Sequence, residues 1–403
     1  MNAEAVFHGP LSFPHPAAQC IPFSRHTAPG VRSGAVVRVL MVSRARYTVP
    51  LAPDLRRKFE ALEAAGLDLR VLAAAASPQP ADPVFRLAPP ASPRALDGLL
   101  YYLRLPGRVA RELRTFRPDV VLVQGVHECT AVLLARALAR SRVRVVLDVQ
   151  GNWRAATRLY GSSLRNLLNP LSDLLGRIAI RRADAVRTIG PYTTRLVQEL
   201  GRDPDATLPT YVDSVAVSAR PPAPVPDAPC ALFVGVLERY KGIDTLLDAW
   251  PLVLARIPNA MLRIVGRGRR SVRVAAEAGP RLEWTESLSN EEITQAIDDS
   301  SLLVLPSPME GLGRVTIEAF ARGRAVVGVR DGGTADLVED GRNGLLVGAG
   351  DPHQLADALV RVLGDHELAV RLGAHALEST EGWLLEPDAW AARFASILGG
   401  PHR

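Results

Sequence analysis

SLLVLPSPMEGLGRVTIEAFARGRAVVGVRDGGTADLVEDGRNGLLV, residues 301 to 347, decides how this chain folds. Leu302 to Leu305 form a short, wholly apolar run. Such runs are strands buried on both faces, as in parallel sheets. The run breaks at Pro306-Ser307-Pro308 into a loop holding Glu310, and Gly311 and Gly313 lead into a helix that carries Glu318. Unpaired amides at a helix start, together with the helix dipole, make this turn an anion site. Two carboxylates beside it would repel a bare phosphate, yet ionised carboxylates are strong acceptors for hydroxyl groups. The pattern therefore suits a ligand with phosphate in its middle and hydroxyls at both ends.

Working outward, strand-like and helix-like segments alternate from end to end, which predicts parallel sheets covered by helices. The first half offers strands at 36–42, 67–73, 119–124, 144–150 and 185–189, and the second at 230–236, 260–266, 302–305, 325–329 and 344–348. Between the halves lies SARPPAPVPDAP, 218–229, whose prolines fit neither a helix nor a central strand. With 403 residues the chain exceeds the ~250–300 that one core usually supports. The expected plan is α/β. An extension over 1–34 without periodicity, reading as disordered or as a misassigned start, precedes a Rossmann-like domain over 35–217. The linker over 218–229 leads to a second Rossmann-like domain over 230–385, and a last helix within 386–403 packs back on the first. A cleft between domains is the default site.

Composition is that of a soluble enzyme, with 47% hydrophobic and 22% charged residues. Three scattered cysteines argue against a disulfide framework, and no apolar run or leader pattern suggests export or membrane insertion, so a cytoplasmic location is expected. The net charge of +6 conceals an asymmetry: 29 Lys and Arg face 17 Asp and Glu up to residue 218, against 19 and 25 beyond it. Arg104, Arg108 and Arg111 recur at helical spacing in the basic half. That surface fits either an anionic acceptor or anionic lipid on the inner face of the membrane, or is a solvated helix face.

The ligand deduced from the opening stretch fits a nucleotide-diphospho-sugar, and the stretch resembles the Glu-x7-Glu pattern of glycosyltransferase family 4. The match runs through Glu310, Glu318, Ala319, Gly323, Gly332-Gly333 and Gly344 to Val347. The resemblance implies a GT-B fold, two Rossmann-like domains with parallel sheets facing a central cleft. It also implies that Glu310 touches the donor sugar, Glu318 binds ribose, and the amides of Gly311, Leu312, Gly313 and Arg314 hold the diphosphate. FVGVLERYKGIDTLLDAW, 233–250, resembles the donor strand and turn, with Gly235 at the strand end and Lys241 at the position that contacts diphosphate. Lys241 is one of two lysines, beside Lys58, in an arginine-biased chain, which suggests a site wanting a compact ammonium. Gly266 falls at the family's glycine turn near the nucleotide.

Three departures mark this chain. Val236 stands where relatives carry an Arg for the leaving diphosphate, leaving Arg239 or Arg314 to compensate. Gln150 replaces a strand-end His, keeping a hydrogen bond but not a proton shuttle. His127 is an alternative polar group there, and Arg154 follows in GNWRAATRLYGS. Arg44, Arg46 and Tyr47 occupy the loop after the first strand where relatives have paired glycines; they fit an acidic acceptor, the donor phosphates, or a solvated basic loop.

Asp203-Pro204-Asp205 lacks a third metal ligand, and no metal spacing, nucleophile elbow or Walker lysine appears. The resemblance therefore implies a metal-independent, retaining glycosyltransferase needing no cofactor. It would use a UDP- or GDP-sugar donor and a hydroxyl acceptor, lipid-linked or anionic, in cell-envelope glycolipid, polysaccharide or glycoside synthesis, with no nucleic-acid partner. Three other readings stay open: an inactive nucleotide-sugar-binding subunit, an isomerase of the same fold, and a nicotinamide oxidoreductase, which should show glycines where SRARYT stands.

Overall fold

The computed structural model describes residues 36–77, 80, 82–90, 97–154 and 169–400; the segment 1–34 lies outside them. The first half comprises β1 (Val37–Tyr47), α1 (Pro53–Ala64), β2 (Leu67–Ala75), β3 (Phe85–Ala88), α2 (Asp97–Thr115), β4 (Val120–Gln124), α3 (Val126–Leu138), β5 (Arg144–Val149), α4 (Asn169–Arg182), β6 (Ala185–Thr188), α5 (Pro191–Gln198), β7 (Ala206–Thr207) and α6 (Ser214–Val217). The second comprises β8 (Cys230–Val234), a 3-10 turn (Arg239–Lys241), α7 (Ile243–Leu254), β9 (Met261–Val265), α8 (Ser271–Glu277), β10 (Leu282–Thr285), α9 (Asn290–Asp298), β11 (Leu302–Leu305), α10 (Arg314–Ala321), β12 (Ala325–Val329), α11 (Thr334–Leu337), β13 (Gly344–Val347), α12 (Pro352–Leu363), α13 (His366–Glu378) and α14 (Pro387–Leu398).

Both sheets are parallel throughout, in the orders β3-β2-β1-β4-β5-β6-β7 and β10-β9-β8-β11-β12-β13. Runs such as LLVL and VVLV are apolar on both faces, so helices must cover both sides; each sheet accordingly has a buried apolar layer on either face. In each sheet the order reverses, between β1 and β4 and between β8 and β11. The crevice beyond the strand ends at such a reversal is where ligands bind in open α/β sheets.

One feature differs from expectation and a second adds to it. The first strand does not end at 42: β1 continues to Tyr47 past a register shift between Val42 and Arg46, pairing Arg46 with Ala74 and Tyr47 with Ala75. Tyr47 is buried against Phe59 and Phe85, with ring centroids 6.4 and 5.5 Å away, so this residue belongs to the core and not to a loop facing the cleft. The proline-rich segment is also no free tether. The buried guanidinium of Arg322 donates to the carbonyls of Val217, Arg220 and Pro221 at 3.0, 2.6 and 2.7 Å, and that of Arg324 donates to Ala223 and Pro224 at 2.9 Å each. Prolines leave carbonyls without a ladder partner, and these two arginines satisfy them and fasten 220–224 to the second half.

From the chain's other end, α14 crosses to the first half and packs on α1. Trp390 and Phe394 stack at 4.7 Å, the Trp390 indole N–H donates to the Pro209 carbonyl at 2.9 Å, and Arg144 donates to the Leu398 carbonyl at 2.7 Å.

Candidate active site

At the β8–β11 reversal the turn after β8 presses on the loop after β11. Gly242 is left-handed (φ 72°), and a Cβ there would lie 2.0 Å from the Pro306 carbonyl oxygen, so only glycine permits this approach. Ser307 donates to the Tyr240 carbonyl at 3.2 Å across the same contact. The approach carries Lys241 to Glu310, whose Oε1 accepts from Nζ at 2.5 Å. With side chains 17% and 13% exposed, the two charges form a largely desolvated pair that still opens on the cleft.

Beyond Glu310 the chain passes Gly311 and enters α10, where Arg314 lies 3.3 Å from Glu318 one turn on. Burial raises the Glu318 carboxyl above the usual glutamate range, and the Arg314 charge opposes this. Leu312 is buried in the second half's core and reaches Gly190 of the first, leaving only its amide for a ligand. Gly311 meets the first half directly, since a Cβ on it would lie 1.9 Å from the Gln150 carbonyl oxygen. Gly311→Ala therefore wedges the halves apart. Misplacement of about 1 Å costs on the order of 100-fold in rate, so we expect kcat to fall by about that much with melting temperature little changed, measured by steady-state kinetics and calorimetry; a normal kcat would show the contact to be idle.

A cavity of about 410 Å³ lies between the two walls. Lys241, Tyr240, Met309, Glu310 and Gly311 line it on one side, and Gln124, Gly125, Asp148, Gln150, Asn152 and Trp153 on the other. Asp148 is fully buried and bonded to Arg187 at 2.6 Å, and its Oδ2 accepts from the side-chain amides of Gln150 and Gln124 at 2.8 and 3.5 Å. Gln150 is thereby oriented from beneath. Asp148 escaped the sequence reading, although a lone carboxylate inside the apolar run RVVLDV is a visible anomaly, because a buried charge requires a partner.

The other expected site residues lie outside that cavity's lining. Arg239 and Val236 are exposed on the turn before Lys241, and Gly235 and Gly266 meet where β8 and β9 end. His127 turns from the cleft to Ser172, 2.8 Å away on α4, and burial lowers its pKa; it fastens α3 to α4. Arg154 pairs with Glu199 at 3.1 Å, Arg46 with Asp97 at 3.1 Å, and the Arg44 guanidinium lies 5.7 Å from the Tyr102 ring. Two further bonds tie the halves, where Asp336 accepts from the Tyr192 amide at 2.5 Å and from Arg195 at 2.8 Å.

Two Rossmann-like units with a carboxylate–lysine pair and a helix start facing a shared cleft define the GT-B class of glycosyltransferases. Comparison with known proteins agrees: residues 51–211 match the family described as "Glycosyl transferase 4-like domain", and residues 228–365 match "Glycosyl transferases group 1". The chain belongs to this family of group 1, family-4-type glycosyltransferases. It is 30% identical over 284 residues to the "D-inositol 3-phosphate glycosyltransferase" of Nocardia farcinica, a match covering 65% of this chain and 62% of that one. Other curated relatives of that name are matched over 37% to 44% of their length. Among solved structures, sucrose-phosphate synthase from Thermosynechococcus elongatus superposes with a TM-score of 0.73 at 19% identity, covering 90% of this chain and 98% of that one. Anabaena Alr3699/HepE in complex with UDP-glucose gives 0.63 at 17% identity, covering 90% and 99%. At such identities the structures speak for the fold alone.

Proposed function

We propose that the cleft transfers a sugar from a nucleotide-diphospho-sugar to an acceptor hydroxyl with retention of anomeric configuration and without a metal. The observation that carries this reading is the Lys241–Glu310 pair, held at 2.5 Å beside the start of α10. Lys241 and the amides from Gly311 to Arg314 stabilise the departing diphosphate, while Glu310 accepts from the sugar's hydroxyls and Glu318 from the ribose. The bond from the anomeric carbon to the diphosphate oxygen breaks, the acceptor oxygen bonds that carbon on the same face, and its proton passes to the leaving phosphate. Positioning and preorganised charge supply the rate. The name of the curated relatives supports sugar transfer to an anionic polyol as one acceptor class. Arg44 and Arg46, both exposed, are the candidate cations for such an acceptor. Arg239 and Arg314 are the candidates to replace the charge absent at Val236.

Thermal shift against UDP-, GDP- and ADP-sugars, followed by turnover with the sugar that binds, tests the reading. A ligand at 100 times its dissociation constant stabilises by about 2.7 kcal/mol. Stabilisation by one sugar nucleotide, with hydrolysis or transfer that EDTA leaves intact, is the expected result. Binding without turnover would favour an inactive subunit, and response to none would sink the proposal. Glu318→Ala should weaken donor binding about 100-fold, the loss of two hydrogen bonds to a charged group. Since burial raises the Glu318 pKa, its ionised form is lost as pH falls at a higher pH than for an ordinary glutamate. Donor affinity should weaken over that range, and Glu318→Gln should flatten the profile; an unchanged slope would remove Glu318 from the site.

A further inference from the structure

The helices α2, α3 and α4 lie side by side on one face of the first sheet, α3 packing against both neighbours. Leu99 and Leu103 on α2, Leu134 and Leu138 on α3, and Leu171 and Leu174 on α4 are each more than half exposed, with Ile178 beside them. Single exposed leucines are ordinary on a folded surface. Here they follow helical spacing, four apart on α2 and α3 and three then four apart on α4, so each set forms an outward stripe.

The charges on this face have one sign. Arg104, Arg111, Arg114, Arg177, Arg181 and Arg182 are exposed, and among the described residues of these helices no exposed position holds Asp or Glu. The four acids present are buried or half-buried: Asp97 pairs with Arg46, Glu112 with Arg70, Glu128 accepts from the Tyr102 hydroxyl, and Asp173 on α4 is half-buried. By contrast α1 exposes Glu60 and Glu63. We propose that the outer face of α2, α3 and α4 docks on an anionic lipid bilayer, its leucines entering the boundary between headgroups and acyl chains and its arginines meeting lipid phosphates. A second copy is the poorer occupant, because pairing this face with itself opposes arginine to arginine. No helix among the described residues is long and apolar enough to cross a membrane, so the contact lies in the interface plane.

The test uses the full chain sedimented with vesicles of phosphatidylcholine alone or mixed with phosphatidylglycerol, and needs no sugar nucleotide, so its outcome is separate from that of the proposed transfer. Binding to the anionic vesicles alone, weakening as salt rises, is expected. Arg104→Glu/Arg111→Glu/Arg177→Glu should lose it by well over tenfold, as each basic residue near such a surface strengthens association roughly fivefold. Leu103→Ser/Leu134→Ser/Leu174→Ser should also lose it, with both variants keeping the parent's melting temperature and nucleotide-sugar response. No sedimentation with anionic vesicles, or binding that both variants retain, overturns the proposal. So does a concentration-dependent dimer in sedimentation velocity that the leucine variant abolishes, which would make this face an interface between copies.

Discussion

Lys241→Ala should lower kcat by about 100- to 1,000-fold if the proposed role holds, the usual consequence of removing one preorganised donor from a developing negative charge. Two effects combine. The cation at the β8–β11 reversal disappears, and Glu310 is left largely desolvated without the ammonium that stood 2.5 Å away. The second effect is separable, because Glu310→Gln leaves a neutral amide and Lys241→Ala/Glu310→Gln removes the stranded charge. If Lys241 serves the diphosphate, the double variant remains as slow as Lys241→Ala although its melting temperature recovers. Recovery of kcat in the double variant would reduce Lys241 to a counter-ion for Glu310. Lys241→Arg should recover only part of the rate, since a planar fork does not reproduce a compact ammonium.

Arg322→Ala destabilises the second half by about 3–5 kcal/mol, the range found when one partner of a buried ion pair is removed. Its guanidinium meets both oxygens of Asp298, at 2.9 and 2.7 Å, and three carbonyls of the segment that joins the halves. Arg220 also reaches Asp298, at 3.0 Å, but is half exposed and holds none of those carbonyls. Urea unfolding should show the midpoint falling with Arg322→Ala and falling much less with the paired Arg322→Met/Asp298→Leu, which leaves only the half-exposed Arg220 without its partner and no buried unpaired charge. A drop below about 1 kcal/mol, the worth of a surface pair, would mean that the clamp holds nothing.

Much of the fold is legible along the chain because parallel strands and their covering helices write themselves as local periodicity. LLVL, VVLV and AVVGV state burial on both faces, and the glycines after them state where a strand turns into a helix. The wall proposed to hold the donor is legible for a related reason, since Glu310, Gly311 and Glu318 lie on one continuous strand–turn–helix unit. The opposite wall is not. SRARY reads as a polar loop, yet a register shift carries β1 onward and swings Tyr47 onto Phe59 and Phe85. His127 looks like a cleft residue at a strand mouth, but its ring answers Ser172, 45 residues later in the chain.

By itself, then, the sequence determined two parallel α/β units, the glycine-bearing strand–turn–helix and the rare lysine, all properties of segments short enough for spacing and residue chemistry to specify. Only the tertiary structure decided that Lys241 meets Glu310, that Gly311 touches Gln150, that Asp148 anchors the facing wall, and that Arg322 and Arg324 bind the proline-rich crossing. The reason is physical: these contacts join residues far apart in sequence, their distances follow from how sheets, helices and halves pack, and no local pattern encodes that packing.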